Sequence, residues 1–424
     1  MSSQLAILSI SMTDNRSTRT HHFSNGLTLV AEPMPAKQTA AWMFLLPVGA
    51  ANEPAHLSGL TSVQEGACYR GAGDLDSRQF SDALDNLGVD RSGSATVEYS
   101  TFGGGALGQS LPEILPLYAD LILRPHYPEG EWEGQRELAL QNLASLDDQP
   151  AQKMFQELRK IYFPGAHGRS SLGTVDGLNQ ITRDDLVNDH ANRFKPGGAI
   201  LAMAGQIDFD AVVAQIENLF ADWKGATPPL PSPEIISTPA THHIAQDITQ
   251  EHIGVAWKGL EPDHPFYYDH RVAMNVLGGG MGARLFTEVR EKRGLVYTVH
   301  AGAYAYRGCG FNLAYAGTTA ERSQETLDVL LDELTKIAQG VSEDEVERAK
   351  TGLLSNLIMS EESSRSRTAS MASDMFQLGR VRPLDETTAA IEKVTAQSIQ
   401  KYFDAIPPRD FTVVTLGPQE LSHS

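Results

Sequence analysis

The sequence has few cysteines, a deficit of basic residues and no apolar run long enough to cross a membrane. Its only two cysteines, Cys68 and Cys309, lie in opposite halves, which argues against a disulfide framework and predicts a cytoplasmic location. Lysine and arginine number 34 against 53 aspartates and glutamates, so the formal net charge is −19. That charge disfavours nucleic acid and anionic membranes as partners, because both would repel the chain.

Proline is concentrated in one place, and this divides the chain. Residues 225–241 carry five prolines and predict an extended interdomain linker. After a flexible N-terminus over residues 1–20, residues 21–224 and 242–424 each show a β-rich opening, a helix, further strands, long helices and a closing strand. The helical pattern at 78–88 has its expected counterpart at 323–338. The sequence therefore predicts an α+β protein of two homologous lobes, each an antiparallel-rich sheet covered by helices.

The most informative helix lies near residue 60. Residues 59–66 run Gly-Leu-Thr-Ser-Val-Gln-Glu-Gly, and this segment resembles the inverted zinc motif His-x-x-Glu-His of the insulinase/pitrilysin peptidases. In that motif two histidines on one helical face bind zinc, and the glutamate between them acts on the metal-bound water. The two histidine positions are Ser62 and Gly66 here, and the general-base position is retained as Glu65.

The third ligand of the resembling family is a glutamate in a later helix, and its position is Asn142 in this chain. Serine and asparagine side chains are poor zinc ligands, and glycine has no side chain to offer. The resemblance therefore implies a degenerate member with no metal of its own. The alternative is an ordinary amphipathic helix around residue 60 that only mimics the motif.

A second motif lies in the other half of the chain. Residues 277–286 run Leu-Gly-Gly-Gly-Met-Gly-Ala-Arg-Leu-Phe, followed by Arg290 and, seven positions later, Tyr297. The run is similar to a glycine-rich loop of the same family, and no Gly-Lys-Ser/Thr follows it, which argues against a phosphate loop. The resemblance implies that Arg290 and Tyr297 reach a substrate carbonyl across the chamber between lobes. The implied substrate-binding residues are Gly278, Gly279, Gly280 and Met281. The alternative is a surface arginine and a tyrosine in the core.

Two functions follow from the resemblance. In the first, the chain is the zinc-free subunit of a heterodimeric peptidase. It would resemble the Arg/Tyr-bearing subunit of bacterial heterodimers and mitochondrial-processing-peptidase-like subunits, with zinc in a homologous partner and a peptide as substrate. In the second, it is a noncatalytic peptide-binding or assembly protein of the same fold. An autonomous zinc peptidase would need other ligands, and no histidine stands at ligand spacing to Glu65. His167, beside two glycines, is expected in a turn.

Overall fold

The structure, a computed structural model, describes residues 17–422. Residues 1–16 of the predicted flexible N-terminus lie outside the described part. The last two residues of the segment predicted to be flexible, Arg19 and Thr20, instead begin the first strand, where they pair with Ala31 and Val30. Between residues 17 and 422, no helix is both long and apolar enough to cross a membrane.

The first lobe is built on a six-stranded sheet with the order β1-β2-β6-β3-β5-β4. Its strands are β1 (Arg19–His22), β2 (Thr28–Pro33), β3 (Thr39–Leu46), β4 (Asp90–Ala95), β5 (Ser100–Leu107) and β6 (Ile200–Gly205). The helices in this half of the chain are α1 (Leu60–Cys68), α2 (Ser77–Asn86), α3 (Leu111–Leu123), α4 (Trp132–Ala144), α5 (Pro150–Tyr162), α6 (Val175–Gln180), α7 (Arg183–Arg193) and α8 (Phe209–Leu219). Strand pairs are antiparallel except β2 with β6.

The second lobe is built on a five-stranded sheet with the order β7-β11-β8-β10-β9. Its strands are β7 (Thr241–Ala245), β8 (Gln250–Lys258), β9 (Val296–Tyr306), β10 (Cys309–Thr319) and β11 (Thr412–Gly417). The helices in this half of the chain are α9 (Tyr267–Gly278), α10 (Ser323–Lys336), α11 (Glu343–Glu361), α12 (Ser364–Leu378), α13 (Leu384–Glu392) and α14 (Ala396–Ala405), with a π-helical turn at Phe286–Glu291. Again one pair, β7 with β11, is parallel.

The strand orders confirm the predicted α+β class and the two homologous lobes. Strands β2-β6-β3-β5-β4 correspond one by one to β7-β11-β8-β10-β9. The same correspondence makes α1 and α4 the equivalents of α9 and α11. It also shows that one expected pairing was wrong. The helix at 323–338 begins as α10, which follows the hairpin β9-β10 and is equivalent to α3, whereas the π-helical turn holds the place of α2.

Each lobe covers its sheet on one face with a helix supplied by the other half of the chain. On α5, Met154 and Leu158 pack against Ala256 and Val414 of the second sheet. On α12, Met371 and its neighbours pack against the first sheet. Both covered central strands, β6 and β11, are buried at every residue and largely apolar, as expected for strands with helices on both faces.

The hairpin turns of the two lobes meet at a buried carboxylate. Glu98, in the turn between β4 and β5, accepts hydrogen bonds from the backbone N–H of Arg307 at 3.0 and 3.2 Å. The His167 ring nitrogen Nε2 lies 3.3 Å from the same carboxylate. Residues 225–240, the predicted linker apart from Thr241 of β7, contain no helix or strand. Because the halves exchange a helix, the lobe boundaries along the chain remain a prediction.

Candidate functional site

Helix α1 is held firmly at its N-terminus. It begins after Gly59, whose φ of 104° is in the left-handed region that favours glycine. The buried carboxylate of Glu53 accepts hydrogen bonds from the backbone N–H of Gly59 at 2.8 Å and of Thr61 at 3.0 Å. It also accepts the Thr61 hydroxyl at 2.9 Å. Glu53 therefore satisfies N–H groups that the first turn of a helix leaves without partners.

The degenerate zinc positions lie where α1 meets α4, and a side chain fills the space between them. A Cβ added at Gly66 would collide with the side-chain amide of Gln135 on α4. With that amide oriented to satisfy its neighbours, its oxygen accepts from Arg70 Nε at 3.1 Å and Nη2 at 2.7 Å. The Gln135 amide, held by Arg70, thus lies where a side chain at position 66 would begin.

The remaining two positions also lack metal-binding character. Ser62 is half-buried and Asn142 is exposed, and neither side chain makes a hydrogen bond within residues 17–422. The residues present therefore do not fit zinc. Across the described part of the chain, no three His, Cys, Asp or Glu residues are grouped closely enough to hold a metal ion.

The histidines do not offer a substitute ligand set. His126 Nε2 bonds the carbonyl of Gly73 at 2.7 Å, and His190 Nε2 bonds that of Ile122 at 2.8 Å. His167 lies in a short 3-10 turn, as expected, and is buried at the junction between lobes. These three side chains have structural contacts.

Glu65, at the predicted general-base position, lies where its carboxyl group is shielded from water. Burial raises the pKa of its carboxyl to about 7. The carboxylate lies against Gly93 of β4, so closely that a Cβ added at Gly93 would collide with it. Within residues 17–422 Glu65 has neither a hydrogen bond nor an ion pair. A carboxylate removed from water without a compensating charge is costly to ionise, which is the cause of the raised pKa.

The glycine-rich loop borders an open cleft in the second lobe. The cleft has a volume of about 540 Å³, and its lining includes Asn275, Gly279, Gly280, Arg348, Thr351 and Gly352. Gly278 packs so closely on the backbone of Ala301 that a side chain could not be accommodated. Met281 is 77% exposed. The loop is therefore a free surface at the mouth of a cleft, in the place equivalent to the filled space between α1 and α4.

One ion pair fixes this loop to α11. Arg284 Nε donates to Glu345 Oε1 at 2.6 Å, and its Nη2 donates to Glu345 Oε2 at 2.9 Å and to the carbonyl of Gly340 at 2.8 Å. Glu345 also accepts the backbone N–H and the hydroxyl of Ser342, completing a capping box. Hydrogen bonding by Arg284 lowers the pKa of Glu345 to about 2.

The structure brings Arg290 and Tyr297 together on the surface. The guanidinium carbon of Arg290 lies 4.8 Å from the Phe286 ring centroid and 5.4 Å from that of Tyr297. Tyr297 is 81% exposed, so the alternative of a core tyrosine is wrong. It sits at an irregularity in the pairing of β9 with β10, where Thr298 pairs with Gly317 and Val296 with Thr318. Such bulges redirect side chains.

No contact in the described part of the chain joins this pair to Glu65, which belongs to the other lobe. The sequence analysis missed Gln135, whose amide lies against Gly66, and Arg70, which bonds that amide. It also missed Gly93, which makes room for Glu65. A signal existed only for Gln135, which stands seven positions before Asn142 and so, two helical turns away, on the same helical face.

Comparisons with known proteins agree with this geometry. The family model "Insulinase (Peptidase family M16)" matches residues 28–175, and "Peptidase M16 inactive domain" matches residues 180–353. An uncharacterized zinc protease of Mycobacterium tuberculosis is 28% identical over 407 residues, covering 93% of this chain and 91% of the relative. The uncharacterized zinc protease YmxG of Bacillus subtilis is 25% identical over 399 residues, covering 93% and 97%.

A crystal structure of a peptidase M16 inactive domain from Pseudomonas fluorescens has the same fold, with a TM-score of 0.89 at 20% identity over 96% of this chain and 100% of that one. The family models, the relatives of similar length and the replaced motif residues lead to one conclusion. The chain belongs to the insulinase (M16) peptidase family and is a degenerate member of it.

Proposed function

We propose that this chain is the zinc-free subunit of a heterodimeric metallopeptidase and donates Arg290 and Tyr297 to a homologous partner that carries the zinc. The observation that carries the proposal is the contrast between two sites. The predicted metal positions carry no zinc-binding side chain and Gln135 lies against Gly66, whereas Arg290 and Tyr297 lie side by side and exposed. Tyr297 is 81% exposed beside an exposed guanidinium, so both donors are accessible to a bound peptide.

The chemistry of the pair suits a peptide carbonyl. A phenol O–H and a guanidinium N–H are both donors, and donors placed where negative charge develops stabilise the transition state of acyl transfer. The Arg290 side chain lies over the Tyr297 ring, which limits the positions that both groups can take. Gly278, Gly279, Gly280 and Met281 form the neighbouring surface and are proposed to contact the substrate backbone.

The second candidate function is noncatalytic peptide binding or assembly, and the cleft beside the glycine loop favours it as much as the first. It makes a different prediction for Arg290 and Tyr297, because a protein that only holds a peptide does not need a carbonyl-polarising pair. A cytoplasmic location and the identity of the partner remain predictions from the sequence.

The test is reconstitution. The purified chain is titrated into a zinc-bearing M16 chain of the same organism, and complex formation is followed by light scattering while hydrolysis of a quenched fluorescent peptide is measured. We expect a one-to-one complex and hydrolysis that rises until the two chains are equimolar. A complex that forms but does not hydrolyse peptide would favour the assembly function, and the absence of any complex would overturn both the partner and the donation of Arg290 and Tyr297.

A further inference from the structure

The cleft between α9 and α11 is lined by a guanidinium that has no partner. Arg348 lines this cleft, is exposed, and makes neither a hydrogen bond nor an ion pair within residues 17–422. The two carboxylates of the lining are already paired. Glu345 is bound to Arg284 at 2.6 Å, and Glu347 to Lys350 at 2.8 Å. The lining therefore carries one uncompensated positive charge, although the whole chain is acidic.

The side-chain amide of Asn275 lies at the same cleft. A Cβ added at Gly279 would lie 2.4 Å from its Nδ2, and a Cβ added at Gly352 would lie 3.8 Å from its Oδ1. The amide is thus placed between the loop and α11, and the two glycines leave it uncovered. In the described part of the chain it makes no hydrogen bond. The amide N–H groups are therefore free to bind an acceptor that enters the cleft.

The glycine-rich loop adds backbone donors to this wall. Gly280 and Gly282 both line the cleft, and their backbone N–H groups have no acceptor between residues 17 and 422. Arg348 Nε would lie 4.0 Å from a Cβ added at Gly282, so the guanidinium lies beside this part of the loop. Backbone N–H groups around a concavity commonly bind anions. Side-chain and backbone donors thus meet at one wall, where a negatively charged group would satisfy them.

We propose that Arg348, Asn275 and the loop N–H groups form a subsite for a carboxylate of the bound peptide, supplied either by an acidic side chain or by the C-terminus. A carboxylate has only acceptors, and its two oxygens match the fork of a guanidinium. This inference rests on the proposed function in that the peptide is the substrate of the complex. Neither Arg290 nor Tyr297 lines the cleft. The subsite therefore selects and anchors the peptide, and it takes no part in the chemistry.

The experiment uses the full chain without any partner and three labelled peptides of about ten residues, a long strand's length. The first has a central glutamate and an amidated C-terminus. The second has glutamine in place of that glutamate, and the third is the glutamine peptide with a free C-terminal carboxylate. Binding is measured by fluorescence anisotropy at about pH 7.5, where these carboxyl groups are ionised.

We expect at least one acidic peptide to bind about tenfold more tightly than the neutral second peptide, the size of one charge-assisted hydrogen bond. A preference for the first peptide supports the subsite and identifies a side-chain carboxylate as its ligand. A preference for the third supports it and identifies the C-terminus.

Three variants test the assignment. Arg348→Met should reduce the preference to less than about twofold while the neutral peptide still binds, because the arginine has no hydrogen bond or ion pair to lose. Arg348→Lys keeps the charge without the fork and should retain part of the preference. Lys350→Met is the matched control. It removes the same charge from the same helix, but from a side chain that is paired with Glu347, and it should keep the preference.

Equal affinity for all three peptides in the unaltered chain would overturn the inference, and so would a preference that survives Arg348→Met. Loss of the preference in Lys350→Met as well would also overturn it, because the general charge of α11 would then be responsible. The proposed function is judged separately by reconstitution. Hydrolysis on mixing without a preference for a carboxylate would remove only the subsite, and such a preference without hydrolysis would remove only the partner role.

Discussion

The two lobes contain equivalent helix pairs, and the space between the helices is filled in the first lobe and open in the second. In the first lobe, α1 and α4 meet around Gln135, whose amide fills the space beside Gly66. In the second lobe, the equivalent helices α9 and α11 border a cleft of about 540 Å³ that glycines keep open. The same helix pair is therefore closed by one side chain in one lobe and kept accessible by the lack of side chains in the other. The two equivalent helix pairs therefore differ in accessibility within one fold.

The largest effect is expected at the exposed pair of the second lobe. Arg290→Ala or Tyr297→Phe should lower turnover of the reconstituted complex roughly ten- to a thousandfold, the range for loss of one donor to a developing oxyanion. Tyr304→Phe is the matched control, because Tyr304 is an exposed tyrosine of the same strand, β9. Turnover that stays unchanged in both Arg290→Ala and Tyr297→Phe would remove the donor role and leave the noncatalytic function.

The closed groove should resist restoration of a metal site. The triple variant Ser62→His, Gly66→His and Asn142→Glu is expected to bind less than one zinc per chain, because the Gln135 amide lies against position 66 and would have to move aside. Adding Gln135→Ala removes the obstruction and should raise the zinc content toward one per chain. Metal content is measured by inductively coupled plasma mass spectrometry. One zinc in the triple variant with Gln135 in place would show that this residue does not close the site.

The ion pair beside the open groove should contribute less to the free energy of unfolding in acid. Arg284 lowers the pKa of Glu345 to about 2, below the value of about 4.5 expected in the unfolded chain. A lowered carboxyl pKa stabilises the fold fully above about pH 4.5, and that contribution is lost as the pH falls toward 2. In Arg284→Met most of this contribution should be missing at neutral pH, at a cost of about 1–2 kcal/mol.

The measurement is the denaturant midpoint of both proteins at several pH values between neutral and about pH 3. The difference between the unaltered chain and Arg284→Met should shrink as the pH falls. A constant difference across this range would mean that the Arg284–Glu345 pair does not set the acid sensitivity of the second lobe.

The smallest effect is expected at Asn142, the predicted position of the third zinc ligand. Asn142 is exposed and its side chain makes no hydrogen bond within residues 17–422. Asn142→Ala should therefore change the free energy of unfolding by no more than about 0.5 kcal/mol and leave turnover of the complex within about twofold. A loss comparable with that of Tyr297→Phe would show that the first lobe still takes part in the chemistry.

Sequence patterns predicted the repeated architecture because the periodicity of strands and helices depends on residues close together in the chain. The proline-rich stretch at 225–241 predicted a division there, and the order of strands and helices on either side indicated two homologous lobes. Local periodicity does not say where a helix packs. That is why the helix at 323–338 was paired with the wrong element, and why the exchange of α5 and α12 between lobes was not foreseen.

The candidate site shows the same limit. The family resemblance predicts that Ser62, Gly66 and Asn142 stand at ligand positions and that Arg290 and Tyr297 contact substrate, and these roles remain predictions. The closure of the site depends on Gln135 of a second helix, and the isolation of Glu65 depends on Gly93 of a distant strand. Contacts between elements far apart in the chain leave no periodic pattern, so only the folded structure reveals them.

The most direct test of the account is the zinc content and peptidase activity of the purified chain, measured alone and after mixing with a zinc-bearing M16 chain. We expect no bound zinc and no hydrolysis from the chain alone. One zinc per heterodimer, with hydrolysis that requires both chains, is expected after mixing. Stoichiometric zinc together with peptide hydrolysis by the isolated chain would contradict the assignment of Ser62, Gly66 and Asn142 as replaced ligands.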